Sequence, residues 1–145
     1  MKTFNVLRWA LAGLAMAVVI YVLEAVANTA VLGNDWKDWA ANADKVFRMP
    51  NPAISLVHWA LQALVAGLAG AYIHAAGHRW VGKPLASGLA AGFVIWAVGW
   101  LGMTMDKMAM GIEPMKVMHI NLLFAFIGCM LGGVAVSYIY KDKVG

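Results

Sequence analysis

The chain has 145 residues, 63% of them apolar and only 12% charged, against roughly 45–50% and 25% in a soluble globule. That length holds one domain, and that balance excludes an ordinary water-soluble fold. The formal charge of +4 is dispersed over helix ends and leaves no basic face, which excludes nucleic acid as a partner.

Four stretches carry the apolar excess: residues 9–32, 53–76, 85–105 and 115–140. Each has the ~20 mostly apolar residues that a helix needs to cross about 30 Å of hydrocarbon. Period-2 alternation is absent and Ala, Leu and Gly abound, so a membrane β-barrel is excluded. The expected fold is all-α: a four-transmembrane-helix bundle over residues 1–145, in contact with the lipid bilayer.

The first stretch starts after Lys2 and Arg8 and contains Ala25-Val26-Ala27, an arrangement similar to a secretory signal with its cleavage site. The apolar run from Trp9 to Leu23 is already at the upper limit for such a signal, and it continues to Leu32. It is therefore read as a retained helix. Cleavage before Asn28 is the alternative, and it would remove Glu24 altogether.

Between the first two helices, residues 35–48 read as a short amphipathic helix. Trp36, Trp39, Ala43, Val46 and Phe47 fall on one face, with Asp38, Asn42 and Lys45 elsewhere. Asn34 or Asp35 caps it, and Pro50 and Pro52 end it. Two tryptophans suit the headgroup layer. The segment is expected to be a lid lying on the bundle; the alternative is a docking surface for a protein subunit.

The second helix carries His58 and Gln62 four residues apart, then Ala63, Gly67 and Gly70. At its far end His74 and His78 form another i,i+4 pair, but Gly77, Arg79 and Trp80 mark that end as one that frays in the headgroups. Helices three and four carry Gly88-x-x-x-Gly92 and Gly128-x-x-x-Gly132. Small residues of this kind let helix backbones approach closely, and here they are expected to make internal contacts, with the Asn121 amide bonding across one of them. Cys129 is alone, so no disulfide or thiol pair forms within the chain.

Charge sets the orientation. Lys2, Arg8, Arg79, Lys83, Lys141 and Lys143 lie on one side, against Lys37, Lys45, Arg48 and Lys107 on the other, with Lys116 at a boundary. The positive-inside rule then places both termini in the cytoplasm and the amphipathic helix in the first outer loop.

With that topology, Glu24, Asn28, His58, Gln62 and His119 all fall in the outer half of the bundle, and Met103 and Trp100 reach the same zone. Intramembrane ionisable groups are costly and normally face a bundle interior. His58 and His119, with Met103 and Met115 from the methionine-rich segment 103–118, form a candidate metal set. Thioether and imidazole donors suit copper; two imidazoles at one depth also suit haem, the second choice. Glu24, Asn28, Gln62 and Asn121 are read as buried polar partners. No phosphate loop, nucleophile elbow or catalytic carboxylate pair occurs, so no catalytic residue is assigned.

From Leu85-Ala-Ser-Gly-Leu through Lys116-Val-Met-His-Ile-Asn to Gly132-Gly, the chain resembles small uncharacterised bacterial four-helix integral membrane proteins. The resemblance implies a bacterial inner-membrane setting and brings no activity with it. Three functions follow in order: an accessory or scaffolding subunit, a metal-handling protein, and a small transporter or lipid- or quinone-binding protein with Glu24 as proton carrier.

Overall fold

The computed structural model describes residues 2–43 and 51–144. A two-residue strand, β1 (Lys2–Thr3), precedes α1 (Val6–Val26), whose first turn is capped by Asn5 accepting the Arg8 backbone N–H at 3.2 Å. The helix runs on through a π-helical turn, Ala27–Val31, closed by the Leu32 N–H on the Ala27 carbonyl at 2.8 Å. Then come α2 (Gly33–Ala43) and α3 (Pro52–Val81). The third span is α4 (Pro84–Trp96), a second π turn (Ala97–Leu101) and α5 (Gly102–Met110). Last are α6 (Met115–Ile139) and a strand, β2 (Lys143–Val144), antiparallel to β1.

Among the described residues, four helices are long and apolar enough to cross a membrane: Val6–Val31, Pro52–Val81, Pro84–Met110 and Met115–Ile139. They pack as a ring in which α1 meets α3 and α6, and α4 meets α3 and α6. Side-chain size sorts by direction. Leu7, Leu11, Leu14, Val18 and Val22 of α1 face outward, whereas Ala12, Gly13, Met16, Ala17 and Ile20 are buried. Lipid tails are as apolar as leucine, so packing gains come from close backbone approach at small residues rather than from hiding large ones.

That approach is explicit at two seams. A Cβ on Gly67 would collide with the Gly13 carbonyl between α3 and α1, and one on Gly88 or Gly92 with the Gly133 or Cys129 carbonyl between α4 and α6. The first GxxxG pair therefore meets Cys129 and Gly133. Gly128 and Gly132 turn instead to Ile20, Leu23 and Met16 of α1. Indole N–H groups tie neighbouring spans: Trp9 donates to the Leu68 carbonyl at 3.0 Å and Trp96 to that of Leu122 at 3.1 Å.

Two spans run further than hydropathy suggests. α3 continues beyond residue 76 to Val81, because His74 is buried in the bundle and Arg79 is engaged by Asp142; Gly82, at φ 69°, then ends it. The third span continues to Met110 and ends at Gly111, φ 64°. Met108 and Met110 thus join Met103 and Met105 in the helix instead of lying in a loop after residue 105. Of the expected lid, residues 35–43 are helical within α2, while Lys45, Val46, Phe47 and Arg48 lie outside the described residues.

Candidate functional site

At the end of the bundle away from the chain termini, a cavity of about 210 Å³ opens between α1, α3, the third span and α6. Glu24 and Asn28 reach it from the first span, Trp59 and Gln62 from α3, and Met118 and Asn121 from α6. The third span adds Gly99, Trp100, Met103, Thr104 and Lys107, and Trp36 and Glu113 complete the wall.

Both π turns border this cavity: Asn28 sits in the first, Gly99 and Trp100 in the second. A π turn inserts a residue into the helical repeat and re-aims the side chains around it, a feature frequent at functional sites. The first is held by its own polar side chains. Asn28 Nδ2 donates to the Glu24 carbonyl at 2.9 Å and Thr29 Oγ1 to that of Ala25 at 2.6 Å. Trp100, 9% exposed, and Lys107 line the same cavity as Glu24.

Side-chain bonds anchor α2 over this end of the bundle. Trp36 Nε1 of α2 donates to Asn28 Oδ1 at 2.8 Å, and Trp39 Nε1 to the Ile112 carbonyl at 3.2 Å. Their rings meet edge to face at 5.5 Å. Lys116 Nζ reaches both Asp35 oxygens at 2.8 and 2.9 Å, and Lys107 Nζ pairs with Glu113 Oε1 at 2.7 Å.

All four residues read as buried polar partners, Glu24, Asn28, Gln62 and Asn121, line this one cavity. Of the candidate metal set only Met103 does. His58 and His119 are exposed, and the Nδ1–H of each donates to the carbonyl one turn back, Ile54 at 2.8 Å and Met115 at 2.7 Å. Met115 is 55% exposed. Among the described residues, no group of three or more His, Cys, Asp or Glu side chains is placed to hold a metal ion. Copper and haem thus gain no support from the geometry.

Trp59, Thr104, Lys107 and Glu113 were not singled out from the sequence as site residues. Trp59 lies three residues before Gln62, a spacing that shares a helix face and was available as a signal. Lys107 carried weight only as a loop charge.

A second cluster lies at the opposite end. His74, 1% exposed, stacks on His78 at 5.4 Å, and Tyr140 meets both rings edge-on. Asp142 gathers His78 Nε2 at 3.2 Å, the Arg79 guanidinium at 3.0 and 3.1 Å and the Tyr140 hydroxyl at 3.0 Å. The Arg79 bonds hold the Asp142 carboxyl below the usual carboxylate range. Burial pushes the Tyr140 phenol up, and Asp142 beside it adds to the effect. This group ties the C-terminal segment to α3.

Fold and site together define a class: a largely helical integral membrane protein with a polar cavity at one end of the bundle, lined in part by Trp36 of α2. No protein-family model, curated protein or solved structure matches the chain.

Proposed function

We propose that the protein binds a small ligand in the Glu24 cavity, as a small transporter or membrane ligand-binding protein, with Glu24 as the recognising and proton-exchanging carboxylate. One observation carries this reading: π turns from two different helices converge on a single cavity that gathers Glu24, Asn28, Gln62 and Asn121. A costly intramembrane carboxylate is retained where it does work. An accessory or scaffolding subunit would need no lidded polar space within the membrane.

The setting we infer is a bacterial inner membrane with both termini cytoplasmic, which puts the cavity and α2 at the outer face. Pairing of β1 with β2, and of Arg79 with Asp142, supports having both termini and the α3–α4 turn on one side. Six of the Lys and Arg residues cluster at that side in the sequence. Reporter fusions at Gly145 check the orientation; an outward-facing C-terminus would reverse it. The binding reading is tested by tryptophan emission of the protein in nanodiscs as pH is stepped with candidate solutes present. Glu24→Gln should abolish the pH-dependent response. A variant indistinguishable from the parent in pH-dependent binding or transport overturns the proton-exchanging role.

A further inference from the structure

The polar cavity has a neighbour. An apolar groove of about 460 Å³ runs along the lipid-facing side between α3 and the third span, from Ala69 and Ile95 towards Leu61 and Met103. It is open to the bilayer: Val65 is 66% exposed and Val98 77%. The eight helical steps from Leu61 to Ala69 make it roughly 12 Å long at 1.5 Å per residue. Gln62, Gly99, Trp100 and Met103 line both spaces, so groove and cavity share a wall rather than lying apart.

Charge identifies what the cavity prefers. Lys107 is committed to Glu113 at 2.7 Å, which leaves the Glu24 carboxylate as the excess charge of the lining. Trp36, Trp59 and Trp100 surround the same space, and indole faces attract ammonium groups. A cavity of about 150 Å³ takes a benzene-sized guest; this one, at about 210 Å³, takes a compact head group.

Resting on the ligand-binding reading above, we propose that groove and cavity form one composite site for a single-chain amphiphile with an ammonium head. The head sits against Glu24 and the tryptophans, the alkyl chain lies in the α3–third-span groove, and entry is sideways from the bilayer. Gly99 is the residue at the junction. A Cβ there meets nothing within 4 Å, so a side chain at this position occupies open space beside both without displacing the packing.

The test uses the full chain in phosphatidylcholine nanodiscs and radiolabelled dodecyltrimethylammonium, read against empty nanodiscs. Saturable binding of one molecule per chain is expected, weakened at least tenfold in Glu24→Gln and in Gly99→Leu, and unchanged in His58→Ala. Tetramethylammonium should bind at least a hundredfold more weakly, and dodecanol and dodecanoate should not compete. Competition by either of those, or an unaffected Glu24→Gln protein, overturns the ammonium head. Tetramethylammonium binding as tightly as the long-chain cation overturns the groove while leaving a small-ligand pocket standing. Absence of saturable cation binding overturns the whole inference. Aqueous labelling of Thr104→Cys in a Cys129→Ala background separates the underlying reading: a reactive Cys at 104 keeps the open pocket, an unreactive one removes it as well.

Discussion

Replacing Gly88 by alanine should loosen the α4–α6 seam, and the structure says by how much. The added Cβ would meet the Gly133 carbonyl well inside 3.0 Å and Ser137 Cβ at 2.9 Å. The obstacle is backbone, which cannot swing aside as a side-chain tip can, so the two helices must part. Overpacking of this kind costs roughly 1–3 kcal/mol, or about a 5- to 150-fold shift in the unfolding equilibrium. Gly99→Ala is the matched control. Nothing lies within 4 Å of its new Cβ, and alanine in a helix interior is favoured over glycine by about 0.5–1 kcal/mol. Unfolding in mixed micelles of dodecyl maltoside and dodecyl sulfate, followed by far-ultraviolet circular dichroism, compares the two. The reasoning fails if Gly88→Ala is as stable as the parent, or if Gly99→Ala loses as much as Gly88→Ala does.

Other consequences are equally open to measurement. Trp36→Phe keeps an aromatic ring but removes the bond to Asn28, worth about 0.5–1.5 kcal/mol, so amides of α2 should exchange hydrogen roughly 2- to 10-fold faster; unchanged exchange would show that α2 is held by something else. Asp142 has a depressed folded-state pKa because Arg79 bonds it. Its stabilising contribution is therefore present above the ordinary carboxylate range and lost as pH falls through the lower folded value. Release of the C-terminal segment, read by hydrogen exchange at Tyr140, should show that acid dependence in the parent, and Asp142→Asn should show a loosened segment with no such dependence. Alanine at His58 or His119 should alter stability by no more than about 0.5 kcal/mol, since both side chains are exposed; a larger loss by circular dichroism would give them a structural role.

Depth along each helix was legible in the sequence, and rotation about each axis was not. Hydropathy located four spans, and counting residues placed Glu24, Asn28 and Gln62 in the outer half, where they line one cavity together with Asn121. His58 and His119 sit at the same levels yet miss the cavity by one residue each, next to Trp59 and Met118, which line it. One residue is about 100° of helix, enough to turn an imidazole from bundle to lipid. An apolar stretch has little amphipathic signal to fix that angle, because inward positions are small and outward ones large rather than apolar and polar. The π turns compound the problem, since each shifts the register of everything beyond it and neither has a hydropathy signature. Likewise the end of α3 was obscured because His78, Arg79 and Trp80 look like an interface. Asp142, distant in the chain, is what engages Arg79 there.

The central claim is that Glu24 faces an accessible cavity beneath α2. Reactivity of Thr104→Cys in the Cys129→Ala protein measures this most directly, using a small charged methanethiosulfonate reagent on reconstituted vesicles. Cys129 is fully buried, so replacing it with a small apolar residue removes the only native thiol at little packing cost. The account predicts that residue 104 is labelled, that Trp36→Phe speeds the labelling, and that Gly99→Leu slows it. A cysteine at 104 that stays unreactive in all three backgrounds, in protein that remains folded, would contradict it.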